Sequence, residues 1–403
     1  MTIKNLLSIV IIFTCVVSCT NTLDISSTPF LKQTEKFENG IAFKAGSAGY
    51  TVLSLSGAWY NMGRQYGYLA RKELNEFYSI IHKDLIDRGV DSLSQINTAK
   101  ETYDLYSNEM KDLIKGMSET SGLDLNQQII LDASFYLLTI AILNGHPPSA
   151  CSGIGILAPR TKDSQVYFGR NWDINREAMI KYMKYLSVVV FNPDNGNGFA
   201  NIRPLGQTYV ETGFNSKGVF IELNNGEASD TSFYPQRRFS GEVIFDVLIR
   251  SNNIDEAVQN LRSIPAESAY IIQVVDNKKA VSVERATFDS RILEPYNGLL
   301  VTYNSFVKPY PENWESKLMP PPPVELDPRR QNILDLLDKS EWKKNLTIEH
   351  MLKLMDIEMK DGGAAHAGTV IQVVASPGTF ELYFRGFKYS DWAKVDLKQL
   401  FIK

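Results

Sequence analysis

The chain has 403 residues, with 42 Lys plus Arg against 46 Asp plus Glu, and is 44% hydrophobic and 11% aromatic. That composition supplies a large core and excludes disorder, collagen-like repeats and low complexity. A net charge of -4 spread over both signs leaves no basic footprint for nucleic acid.

In chain order, Lys4 is followed by an unbroken apolar stretch from Leu6 to Val17 and then by Ser18 and Cys19. The stretch is too short to cross about 30 Å of hydrocarbon, and its flanks are those of an export signal. Val16-Val17-Ser18-Cys19 is similar to a bacterial lipobox, in which Cys19 is lipidated and becomes the mature N-terminus; a plain secretory signal is the alternative. The polar run Thr20 to Thr28 reads as a tether. Cys15, Cys19 and Cys151 are the three cysteines, so Cys151 stands alone in the body of the exported chain. A free thiol in an oxidising compartment invites a functional reading, against the bland one of a small buried hydrophobe.

Asp132 to Asn144 is apolar on nearly every face and stops at Asn144-Gly145, which predicts a buried helix, too short for a membrane span. His146-Pro147-Pro148-Ser149-Ala150 then forbids helix. Cys151 to Leu157 and Val166 to Asn171 predict a hairpin whose first residue is Cys151. A cysteine in that place suits an N-terminal nucleophile. If the chain is cut between Ala150 and Cys151, the freed α-amino group, with a pKa of about 7.7 to 8.0, can serve as base for its own thiol. Of the four histidines, His82, His146, His350 and His366, only His366, in a Gly/Ala-rich loop, is a candidate partner.

Cys151-Ser152-Gly153, followed after a hairpin by Val166-Tyr-Phe-Gly169-Arg170-Asn171-Trp172-Asp173, resembles the opening of the N-terminal-nucleophile hydrolases. These include choloylglycine hydrolase, penicillin V acylase and acid ceramidase; the acyl-coenzyme A:6-aminopenicillanate acyltransferase-like branch is nearest. Thr212-Gly-Phe-Asn215-Ser-Lys-Gly218-Val219 with Leu223-Asn224, then Tyr303-Asn304-Ser305-Phe306, then Arg329-Arg330 follow in the family's order. Gly57-Ala-Trp-Tyr-Asn-Met-Gly63-Arg-Gln-Tyr-Gly67 resembles the long propeptide of that branch. The resemblance implies an α+β fold, a four-layer α/β/β/α sandwich. It also implies a two-chain mature protein: a signal over 1–18, a tether and helical small subunit over 19–150, and a catalytic subunit over 151–403.

The thiol of Cys151 attacks an amide carbonyl, and a nearby positive charge raises its thiolate fraction; Arg170 is the natural candidate. By the resemblance, Asp173 orients the α-amino group, the backbone N–H of Asn224 and the side-chain amide of Asn304 form the oxyanion hole, and Arg330 supports the carboxylate, with Arg329 competing. Beta-lactam acyltransferases often carry glutamine where this chain has Arg170, which argues against antibiotic formation. Trp172, Phe214, Tyr234 and the Met319-Pro320-Pro321-Pro322-Pro323 stretch are candidates for the substrate pocket and its entrance.

Further strands are expected at Leu186 to Phe191, Gly218 to Asn224, Tyr270 to Val275, Ala280 to Arg285, Leu299 to Tyr303, Val370 to Val374 and Phe380 to Phe384, all rich in β-branched and aromatic residues. Helices are expected at Gly241 to Arg250, Ile254 to Leu261, Pro328 to Leu337 and Ile348 to Ile357. The expectation is a lipid-anchored, self-cleaving cysteine amidase of the bacterial envelope, on the periplasmic or cell-surface side of a membrane. Its substrate is a small linear N-acyl amide, with acyl transfer as a side activity. It needs no cofactor and no metal, because no His or Cys cluster has ligand spacing. Its two cut chains stay associated, and a homo-oligomer is left open. The alternatives are a papain-like Cys/His cell-wall hydrolase with His366 as base, and a ligand-binding lipoprotein without enzymatic activity.

Overall fold

A computed structural model describes residues 31–143, 151–319 and 327–402. The expected export signal with Cys19, the expected tether, the segment His146 to Ala150 and Pro320 to Pro323 lie outside the described residues.

The chain opens with β1 (Leu31–Phe37), β2 (Gly40–Ala45) and β3 (Tyr50–Gly57). Five helices follow: α1 (Trp59–Leu69), α2 (Arg71–Asp87), α3 (Ser92–Asp104), α4 (Asn108–Ser121) and α5 (Leu125–Leu143). Next come β4 (Ser152–Ile156), β5 (Tyr167–Asp173), the short α6 (Arg176–Met179), β6 (Leu186–Pro193), β7 (Phe199–Pro204), β8 (Thr212–Asn215) and β9 (Phe220–Asn225). Then α7 (Ser240–Arg250), α8 (Ile254–Ser263), β10 (Tyr270–Val275), β11 (Ala280–Arg285), β12 (Ser290–Leu293) and β13 (Leu299–Thr302). The chain ends with α9 (Pro328–Leu337), α10 (Ile348–Asp356), β14 (Thr369–Ser376), β15 (Glu381–Gly386) and β16 (Ala393–Asp396).

The strands form two sheets, one ordered β1-β2-β3-β6-β7-β8-β9-β10-β11-β12 and the other β13-β4-β5-β14-β15-β16. All described pairings are antiparallel except β3 with β6. The sheets face one another through apolar side chains: Phe168 of β5 lies 5.7 Å from Phe220 of β9. Ile154, Ile156, Tyr167 and Val374 of the smaller sheet pack under Ile333 and Leu337 of α9 and Met351 and Met355 of α10. On the far side of the larger sheet, Phe199 meets Trp59 of α1 and Phe245 of α7. This is the four-layer α/β/β/α sandwich expected from the sequence.

Two expectations are corrected. The segment before Cys151 is not helical throughout, because β1 to β3 extend the large sheet and β3 pairs with β6 over seven residues. The β1 sequence LKQTEKF exposes its charges along the sheet edge, so its alternation carries little apolar signal. Second, α5 begins at Leu125, and its stretch Leu125–Ile142 is long and apolar enough to cross a membrane; what argues for a core helix is that 56% of that stretch is buried inside the protein.

Candidate active site

Cys151 immediately precedes β4 and is 8% exposed. β4 lies between β13 and β5, with Gly153 opposite Arg170 and Ser152 opposite Asn171. A side chain at Gly153 would strike Glu222 across the sheets, 2.4 Å from its Oε1, so this glycine lets the nucleophile strand approach β9. Burial pushes the Cys151 thiol up to about 12; the charge of Arg170 pulls it down, and the Asp173 carboxylate opposes that. In the uncut chain the thiol is therefore neutral at pH 7.

Asp173 ends β5, beside Cys151. Its Oδ2 lies 3.6 Å from Arg329 Nη1 and 3.2 Å from His366 Nε2. Arg329 Nη1 also donates to the carbonyl oxygen of Cys151 at 3.1 Å, and Nη2 donates to Asn304 Oδ1 at 3.3 Å. Asp327, which caps α9, grips the same guanidinium through both carboxylate oxygens, at 2.9 and 2.5 Å, the strong bidentate geometry. Asn304 Nδ2 donates to the carbonyl of Asn225 at 2.8 Å. The structure thus brings Cys151, Asp173, Asn304 and Arg329 together. Arg330 is corrected: it is half-buried, and no described hydrogen bond or ion pair joins it to the cluster. One residue along a helix turns a side chain by about 100°, so only one of the pair can face Cys151.

Arg170 belongs to a second buried cluster. Its Nε lies 3.0 Å from Glu222 Oε2. Nη1 donates to the Glu211 carbonyl and to Thr212 Oγ1, and Nη2 donates to the Leu223 carbonyl at 2.6 Å. Glu211 in turn pairs with Arg203 at 2.5 Å. Arg170 is therefore held on β8 and β9 and acts on Cys151 through its field. Burial pushes the carboxyl of Glu222 up to about 8, with Arg170 working against it.

Asn224 is fully buried, with Oδ1 unpartnered and Nδ2 3.5 Å from Gln273 Oε1. Its backbone N–H does not suit the expected role. The Leu223 N–H donates to Glu211 on one side of β9, so by strand alternation the Asn224 N–H points to β10, where Asn224 is paired with Ile271. The next N–H, that of Asn225, turns back to the side of β8.

Of the pocket candidates, Phe214 is core, stacked on Phe380 at 5.5 Å, and Tyr234 is on the surface under Arg237. Trp172 stacks on Phe135 of α5 at 5.8 Å. These two rings, with Arg170, Ile202, Thr212 and Ile371, line a small cavity of about 10 Å³, room for no more than a water. Glu222, Glu211, Arg203 and Asp327 escaped the sequence reading. The one local signal was a carboxylate inside FIELNN, two residues from Asn224 and so on the same strand face.

Residues 160–353 match the model of the acyl-coenzyme A:6-aminopenicillanic acid acyl-transferase family. This stretch, a little under half of the chain, is similar to that family. The matched stretch carries Arg170, Asp173, Asn224, Asn304 and Arg329 and begins just past Cys151. It bears out the superfamily resemblance read from the sequence, a group of amide hydrolases and acyltransferases. Among solved structures, the chain is similar to an N-acylethanolamine-hydrolyzing acid amidase ortholog from Caenorhabditis elegans, at 19% identity and a TM-score of 0.42 over 57% of this chain and 93% of that one. A variant of conjugated bile acid hydrolase from Clostridium perfringens matches at 11% identity and a TM-score of 0.44 over 62% and 93%. Penicillin V acylase from Agrobacterium tumefaciens matches at 11% identity and a TM-score of 0.39 over 62% and 88%. No curated protein matches the chain.

Proposed function

We propose that the protein is a self-cleaving cysteine amidase that hydrolyses the C–N bond of a small, linear N-acyl amide. The observation that carries this reading is the setting of Cys151: Arg329 sits on its carbonyl oxygen and joins Asp173 and Asn304 to it. Cutting before Cys151 frees an α-amino group within the cluster of Asp173 and Arg329. That amine takes the thiol proton, the thiolate attacks the substrate carbonyl, and the amine product leaves with the proton returned by the α-ammonium. Water then hydrolyses the thioester. The Asn304 amide and the backbone N–H of Asn225 are the oxyanion donors this geometry favours over Asn224. Arg170, with Glu222 and Glu211 behind it, keeps positive potential near the sulfur.

Hydrolysis is favoured over transfer because the N-terminal sequence reads as an export signal, and an exported enzyme meets water more readily than coenzyme A. In the same proposal the protein is a lipoprotein anchored through Cys19 in the bacterial envelope. The Cys/His alternative fares worse: Cys151 opens a strand rather than a helix, and His366 pairs with Asp173.

Intact mass and N-terminal sequencing of the wild type beside Cys151→Ala test the reading. Two chains in the wild type, one beginning at Cys151, and a single uncut chain in the variant are expected. A single chain in both samples overturns it.

A further inference from the structure

The two oxygens of the Asp173 carboxylate have different surroundings. Oδ2 takes His366 Nε2 and Arg329 Nη1, whereas Oδ1 is buried with no hydrogen-bond partner among the described residues. The other nitrogen of the His366 ring, Nδ1, accepts the backbone N–H of Gly368 at 3.0 Å. A backbone N–H only donates, so Nδ1 is unprotonated and the ring proton sits on Nε2, from which it is donated to Asp173. Neither nitrogen is left to act as a base for Cys151.

The ring is also held in place. A side chain at Gly368 would lie 2.6 Å from His366 Cε1, so the ring occupies space that only glycine leaves open. The His366 N–H donates to Thr369 Oγ1 at 2.9 Å, and its carbonyl accepts from the Thr369 N–H at 3.0 Å and from Arg176 Nη1 at 2.9 Å. Thr369 is the β14 residue opposite Asp173. The histidine is thus anchored on the rung of the sheet that carries the carboxylate it meets.

We infer that His366 is a positioning residue, whose Nε2–H fixes Oδ2 of Asp173 and so presents Oδ1 to the α-amino group of the freed Cys151. The inference rests on the N-terminal-cysteine reading above. It is tested with His366→Ala and His366→Gln in the full chain, the glutamine placing an amide donor near the Nε2 position. The deciding rate is alkylation of Cys151 by iodoacetamide in the processed protein, measured beside the extent of cutting before Cys151 and the melting temperature. Loss of one hydrogen bond to a charged group predicts alkylation about tenfold or more slower in the alanine variant, and recovery to within about threefold in the glutamine variant. An alanine variant that is not cut, beside a glutamine variant that is, supports the inference equally. Alkylation at the wild-type rate in the alanine variant overturns it. So does a glutamine variant with a wild-type melting temperature that alkylates, or is cut, as slowly as the alanine one. If the alanine variant fails to fold, the glutamine variant decides alone, wild-type rates supporting the inference and slow ones overturning it. A wild type that is not cut before Cys151 refutes the underlying reading instead.

Discussion

Arg329 and Arg330 show how a single residue's position on a helix decides its chemistry. Arg329 is buried and joins Asp327, Asp173, Asn304 and the Cys151 carbonyl; Arg330 reaches none of them. Removing one partner of a buried charge network strands the others. Arg329→Ala is therefore expected to slow cutting before Cys151 by about a hundredfold, with Arg330→Ala within about threefold of wild type, both read from gel time courses. Glu222 gives a pH prediction. Its folded pKa of about 8 lies above the ordinary 4.5, so the folded state binds the proton more tightly than the unfolded one. Its contribution to stability is favourable at low pH and is lost as pH rises from 4.5 through 8. Glu222→Gln removes that dependence, and the gain in melting temperature between pH 8.5 and pH 6 is expected to be smaller than in the wild type. An equal gain in both proteins contradicts the assignment.

At the scale of elements, α1 and α4 cross on glycines. A Cβ at Gly63 would lie 2.1 Å from the Leu113 carbonyl oxygen, and one at Gly116 the same distance from that of Tyr60; Gly67 meets Met117 in the same way at 2.4 Å. The glycines that made Gly57 to Gly67 resemble a family propeptide thus have a packing reason, since two helix backbones touch there. Alanine is the better helix former by about 1 kcal/mol, yet overpacking costs about 1–3 kcal/mol. Gly116→Ala, made in the uncut Cys151→Ala background, is expected to lower unfolding stability by about that amount in urea titration. No loss would mean that the helices part without cost.

For the whole molecule, the segment before Cys151 is part of the catalytic fold rather than a cap on it. β3 is hydrogen-bonded to β6 inside the large sheet. Asp132 of α5 is buried, accepts the Thr208 N–H and hydroxyl on Oδ1, and takes Tyr106 on Oδ2. A ten-stranded sheet shared by both segments leaves neither a complete core alone. If the chain is cut before Cys151, as proposed, its two pieces are therefore expected to co-elute on gel filtration in 1 M salt and to separate only in denaturant; separation in salt would show the shared sheet to be weak.

The sequence by itself determined the local matters: where apolar and β-branched runs make β4, β5, β6, β9, β10 and β11, where α7 to α10 lie, and which residue is the candidate nucleophile. These were legible because strand alternation, helix periodicity and the chemistry of a lone cysteine after two prolines all act over a few residues. Asp173 and Asn304 were legible from short motifs in a recognisable order. The edge strand β1 was not, because an edge with charged faces has no apolar pattern to read. Only the tertiary structure decided which of Arg329 and Arg330 reaches Cys151, turned the Asn224 N–H toward β10, set Glu222 against Arg170, and brought His366 to Asp173 across 193 residues. Those decisions depend on which face of an element looks inward and on which distant strand lies opposite. Local sequence has no term for either; close packing of two sheets and their helices supplies both.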